Sequence, residues 1–260
     1  MEAKVHMYFL FLLGLLVLGA TAYGQHTYVF YYSRASGQDV VVNLLNISKK
    51  DSHYKLQIFD AWGKLLWEIE NDLAPKDAAF YLISEYVSED TGNWGIAQVK
   101  STEKMVIAVE YYLNKSLLTI DAISQELFLS ESENGSYVVC VYHTEVPGTS
   151  TALILMNPLP KEVKGRLNIY KSDGTKIFQD SFTLAPFEAK FFNLLKIVEA
   201  DTHMWGLLEI FAEAPVAVAC KYFVGEAISV RNTLGKYISE EGPLVPQGVP
   251  KGEGVPQKED

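Results

Sequence analysis

The chain has 260 residues, 48% of them apolar and 21% charged, and a formal net charge of −10. That is enough length and apolar content for one or two globular domains, each burying its own core. The acidic balance, with Arg34, Arg166 and Arg231 as the only arginines, excludes the basic stripe that phosphate-backbone binding needs, so no nucleic acid partner is expected.

The first predicted element is a signal peptide. Lys4 precedes a nearly unbroken apolar run at 7–19, and Ala20-Thr21-Ala22 supplies a small-x-small cleavage site. The run falls short of the roughly 20 residues a spanning helix needs. Residues 1–24 are therefore read as a cleaved leader, with an uncleaved anchor as the alternative. The mature protein is expected to be exported to the periplasm, the cell envelope or the exterior, with no membrane span after cleavage.

Beyond the leader the hydrophobic period is two. Runs at 28–33, 40–46, 54–59, 65–69, 78–83, 95–100 and 105–111 read as strands. In the last of these Met105, Ile107, Val109 and Tyr111 alternate with Val106, Ala108 and Glu110. The 15 Tyr and 13 Phe suit half-buried pleated surfaces. Ala61-Trp62-Gly63 marks a turn between two strands, and Pro75 lies between strands where a missing N–H does no harm. Helix is confined to predicted single turns at 86–90 and 197–201.

The same pattern then returns at a spacing of 111. Asn46 meets Asn157, Gly63 meets Gly174, Leu73-Ala74-Pro75 meets Leu184-Ala185-Pro186, Phe80 meets Phe191, and Trp94-Gly95 meets Trp205-Gly206. From Asn46 to Asn114 no gap is needed and 17 of 69 pairs are identical, which argues that one folding unit of about 100 residues has been duplicated. The opening strand matches at 109, Tyr28-Val29 with Tyr137-Val138. Short strands at regular spacing predict an all-β fold: two tandem antiparallel β-sandwich, Ig-like domains at 25–124 and 134–233. An α/β unit would need helical stretches of about 10–12 residues between strands, and none is present.

Asn after an apolar strand, a turn Gly, Leu-x-Pro, Trp-Gly and then Pro215-Val216 together resemble repeats common in bacterial secreted and surface proteins. More remotely they are similar to the sensory rhodopsin transducer family, a small β-sandwich. The resemblance covers most of both copies. It implies a fold, since its motifs are turn and core residues, and it carries no catalytic residues. The first copy departs from it, with Ile47 and Lys104 in place of two prolines. The tail at 239–260, rich in Pro, Gly and charge, has the composition of a disordered segment.

Catalytic chemistry finds little footing. His6, His26, His53, His143 and His203 lack metal-ligand spacing, and no nucleophile elbow or phosphate loop is present. Glu85, Glu89 and Asp90 read as a solvated loop, with a loose calcium site as the sharper alternative. No cofactor, no metal and no catalytic residue is expected. Cys140 and Cys220, on the first and penultimate strands of the second copy, leave two readings open: a disulfide, or two buried thiols. Trp94 and Trp205 read as core or corner residues. Trp62 and Trp67 have no Trp counterpart, so they are candidates for ligand stacking or for packing on a neighbour.

The expected function is thus that of a non-catalytic, exported structural or interaction protein, with a protein or envelope component as partner. A glycan- or small-ligand-binding module using Trp62 and Trp67 is the alternative. Self-association through open strand edges is compatible with either.

Overall fold

Four antiparallel sheets account for the computed structural model, which describes residues 26–90, 93–123, 135–144, 149–198, 205–224, 227–234 and 236–237. The predicted leader, the predicted tail and His203 lie outside the described residues. Sheet I has the order β1 (His26–Ser33), β6 (Trp94–Ser101), β3 (Ser52–Asp60), β4 (Leu65–Leu73). Sheet II has β5 (Ala78–Leu82), β2 (Gln38–Asn46), β7 (Met105–Leu113), β8 (Ser116–Ile123). Sheet III has β12 (Lys176–Leu184), β11 (Val163–Lys171), β14 (Trp205–Ala212), β9 (Ser136–His143) and the short β17 (Lys236–Tyr237). Sheet IV has β13 (Ala189–Asn193), β10 (Thr149–Met156), β15 (Ala217–Val224), β16 (Ala227–Leu234). The fold is an all-β sandwich, and β17 aside the strand order of sheets III and IV repeats that of sheets I and II.

Alternation builds each core. Tyr28, Phe30 and Tyr32 of β1 point inward with Leu56 and Ile58 of β3, and they meet Val40, Val42 and Leu44 of β2. The Tyr28 hydroxyl accepts from Met105 N at 2.9 Å, and the Tyr54 and Tyr81 hydroxyls bond directly, so these three tips are partnered, while the buried Tyr32 hydroxyl has no hydrogen-bond partner. β8 and β16 are not among the strand runs read in the sequence, although the other edge strands of sheets I and II, β1, β4 and β5, are. The first helical turn falls earlier than predicted, at Ile83–Glu85, and helix α1 spans Leu194–Ile197, while 199–201 of the turn predicted at 197–201 lie outside the described residues. Asn193 accepts from Leu195 N and so starts α1 there.

The repeated Asn ties two segments together. Asn46 Nδ2 donates to the carbonyls of Lys50, Leu73 and Ala74, and its Oδ1 accepts from Ser48 N. Asn157 makes the same four bonds, to Lys161, Leu184, Ala185 and Leu159. Each side chain pins a strand exit to the Leu-Ala-Pro segment, and each is fully buried.

One sequence match needs correction. Ser33 pairs with Trp94 as His143 pairs with Trp205, so Tyr32 corresponds to Tyr142, Tyr31 to Val141 and Phe30 to Cys140. The spacing of 109 is one residue short. A one-residue slip turns every side chain to the other face of a strand. A tie repeated in both halves supports the corrected register: Tyr111 donates to Tyr31 O at 2.8 Å, and Tyr222 donates to Val141 O at 2.9 Å.

The Gly of each Trp-Gly pair is set by close approach of the neighbouring backbone. A Cβ on Gly206 would lie 1.9 Å from Tyr170 O, and one on Gly95 would lie 2.1 Å from Phe59 O. Gly206→Ala is expected to cost roughly 2–3 kcal/mol of stability, since the Tyr170 carbonyl and the Tyr142 ring must both shift. Gly174→Ala, strained at φ +86 but open on all sides, is expected to cost about 1 kcal/mol. Urea unfolding of the two variants checks the order.

Candidate functional site at the joint and the cleft beside it

The outer face of sheet I packs on the outer face of sheet IV, so the order of layers is II, I, IV, III. Both faces of β1 and β10 are consequently buried. Phe59 stacks on Phe187 with centroids 4.4 Å apart, and Trp94 meets Phe191 edge-on at 6.2 Å. Ala189 N donates to Ala61 O at 2.9 Å, and Gln98 Nε2 donates to Pro158 O at 3.0 Å. Sheet faces meet here as they do within a sandwich.

Around the edge of β1 the contact turns polar. Asn232 Oδ1 accepts from the edge amide of Tyr31 at 2.8 Å. Its Nδ2 donates to the Tyr111 hydroxyl at 2.8 Å and to Asp121 Oδ2 at 2.9 Å, while Asn232 N donates to the same oxygen at 2.7 Å. Burial raises Tyr111 well above the usual phenol range and pushes Tyr31 up to about 12, so both stay neutral donors and acceptors.

Lys221 is the buried cation of this joint. Its Nζ donates to Gln38 Oε1 at 2.6 Å and lies over the rings of Tyr31 and Phe223, at 5.7 Å and 5.4 Å from their centroids. Burial lowers the ammonium to about 8. Below that pH the charged form opposes folding. Between about 8 and the unfolded value near 10.4 the unfolded chain holds more protons than the folded one, so stability rises with pH. The rings and Gln38 offset part of the penalty. We expect wild type to gain about 1–3 kcal/mol on Lys221→Met between pH 7 and pH 10.5, read from paired urea titrations.

A cleft of about 600 Å³ opens beside Gln38, lined by Arg34, Asp39, Ser84, Glu89, Tyr112 and Lys115 among others. Arg34 donates from Nη1 to Val87 O and stands 3.9 Å from Glu89, while its buried Nε has no hydrogen-bond partner. Asp39 Oδ1 is taken up by Val40 N and Ser84 N. Both signs of charge occur in the lining, which includes turns at Gly37 (φ +78) and Asn114 (φ +49). Such a cleft can hold a small molecule, and the sequence does not announce it because Arg34 and Lys115 lie far apart along the chain.

The predicted site residues are scattered. Trp62 is 78% exposed at the β3–β4 turn, with its backbone bridged to Glu188. Trp67 turns inward and stacks on Tyr86 at 4.2 Å. No ring contact joins the two among the described residues. Trp94 is a joint residue as expected of a corner, whereas Trp205 is exposed, which corrects its reading as core. Cys140 and Cys220 are free thiols that touch across the core of the second sandwich. The hydrogen bond from Cys140, with burial, raises the Cys220 thiol. No group of three metal-ligating side chains occurs among the described residues, and no helix there is long and apolar enough to cross a membrane.

No family model and no curated protein matches the chain. Among solved structures it is similar to Thermotoga maritima 1070, at 16% identity and a TM-score of 0.32, over 43% of this chain and 97% of that one. A calcium-binding mutant of Bacteroides uniformis β-glucuronidase 2 is similar at 12% identity and a TM-score of 0.19, over 85% of this chain and 27% of that one. A glycosyl hydrolase family 2 member from Bacteroides cellulosilyticus is similar at 11% identity and a TM-score of 0.17, over 79% and 27%. The chain thus spans about a quarter of the length of these glycosidases, and likenesses this distant assign it neither activity nor ligand.

Proposed function

We propose that the chain is a non-catalytic interaction protein of the bacterial envelope or exterior, exported by its leader and built by duplication of one Ig-like unit. The observation that carries this reading is the exposure of large apolar side chains on both outermost sheet faces, Leu45, Phe80 and Ile120 on sheet II and Val141, Trp205 and Leu207 on sheet III. Exposed apolar surface in rows marks contact with other macromolecules. The repeated strand order supports duplication, and the leader composition supports export. Crosslinking of the tagged chain in its own cells tests the reading. Recovery from the envelope or medium with crosslinked protein is expected. Recovery from cytosol alone, without crosslinks, overturns it.

Export also bears on the thiols. In an oxidising compartment glutathione disulfide is expected to take both thiol hydrogens, leaving a Cys140–Cys220 bond and two glutathione thiols. The titratable thiols of the denatured chain then fall from two to none. Two thiols persisting after oxidation refutes the bridge.

A second reading, glycan or small-ligand binding, is favoured by the exposure of Trp62 and by the cleft at Arg34. Titration with envelope polysaccharides, followed by tryptophan fluorescence, separates it. No change with any of them removes it.

A further inference from the structure

The joint uses a different face from each half of the chain. The first half offers sheet I, and the second offers sheet IV. By strand order sheet III is the counterpart of sheet I, and sheet II is the counterpart of sheet IV. The two faces that correspond to the joint are therefore the two that the chain leaves uncovered.

Residue by residue the correspondence holds. Tyr31 is 3% exposed within the joint, and its counterpart Val141 is 46% exposed. Ile96 is closed off, and its counterpart Leu207 lies open beside Val141. On the partner surface Val230 is 1% exposed and its counterpart Ile120 is 55% exposed. Met156 is buried where Leu45 is not, and Phe80 stands free where Phe191 receives Trp94. These side chains are already arrayed on strands of the same order and register as the joint, so little reorganisation is needed to make it again.

We infer that sheet III of one chain docks on sheet II of a second copy, repeating head to tail the contact made inside each chain. This rests on the reading of those faces as contact surfaces and names what covers them. The contact is heterologous, so each copy keeps one face free and assembly continues into a ring or a filament. Among the described residues β17 pairs with β9 at Ser136 and Tyr137, and farther along that edge Val141 O and His143 are taken up by Tyr222 and Thr151, so the face of sheet III and not its edge makes the contact. The polar anchors differ: Glu110 stands in the place of Lys221 and is already bonded to Asn43 and Tyr112. Association between chains is therefore weaker than the internal joint and depends on concentration.

Sedimentation velocity of the intact chain across the micromolar range tests this, with two variants that change exposed positions only. V141K/L207K spoils sheet III, and F80K/I120K spoils sheet II. Circular dichroism confirms that each keeps its strands. Wild type is expected to grow in mass with concentration, and each variant to stay monomeric alone. A mixture of the two variants is expected to give a heterodimer and nothing larger, since one good face of each kind remains. A variant that still dimerises alone, a mixture that stays monomeric, or a wild type that stays monomeric overturns the head-to-tail contact. If wild type is monomeric while both variants lose their crosslinked envelope proteins, the faces serve foreign partners and only self-association fails. If neither variant changes the crosslinks, the proposed function fails as well.

Discussion

Replacing Asn157 by alanine is expected to lower the stability of the C-terminal half by roughly 3–5 kcal/mol, the largest effect of any polar truncation in the molecule. Truncation removes four hydrogen bonds at once and leaves the Lys161, Leu184 and Ala185 carbonyls and the Leu159 amide without that partner. Each group so orphaned costs about 1–3 kcal/mol when water cannot reach it, and partial relaxation holds the sum below the maximum. Asn46→Ala is expected to do the same in the N-terminal half, since its four bonds are the same. Asn157→Asp does not rescue, because a carboxylate oxygen would face carbonyl oxygens. Urea unfolding read by circular dichroism measures all three. A loss below about 1 kcal/mol for Asn157→Ala would mean that the loop closes without its side chain.

Asn232→Ala is expected to loosen the two sandwiches from one another. The side chain caps the free edge of β1 at Tyr31 and bonds both Tyr111 and Asp121. Its loss leaves the Tyr31 amide without that acceptor and takes one bond each from Tyr111 and Asp121, which keep Tyr31 O and the backbone N of residue 232, and it removes roughly 1–3 kcal/mol from the joint. Because the joint couples two cores, calorimetry is expected to resolve two transitions in the variant where wild type shows closer coupling. Asp121→Asn keeps an acceptor oxygen and is expected to cost less than half as much. Equal losses for the two variants would place the energy in the Asp121 charge instead of the amide.

Much of the architecture is legible in the residues. Period-two alternation marks the strands because a pleated strand turns successive side chains to opposite faces. The spacing of 111 marks the repeated Asn, Gly, Leu-Ala-Pro and Trp-Gly. Each of these meets a demand that one residue type fills, a bond set, a turn or a close approach, and so leaves its mark in the identity of single residues. The opening strand is misaligned by one residue in the sequence because Tyr28-Val29 and Tyr137-Val138 match by letter, while register is decided by pairing with β6 and β14. The correction also alters Cys140, which takes the inward place of Phe30 and so comes to touch Cys220.

Fold class and the repeated motifs follow from the residues alone, because composition and alternation act residue by residue. Which faces are covered follows only from the packing of the sheets. Tyr31 and Val141 occupy one and the same strand position, yet one is buried and the other open. The difference lies in whether another sheet lies against that face, and nothing local to either strand encodes it. The same holds for Lys221 and for the cleft at Arg34, whose neighbours come from strands far apart in the chain. A surface defined by what packs on it is a property of the assembled layers, and it emerges only where sheets I and IV come into contact.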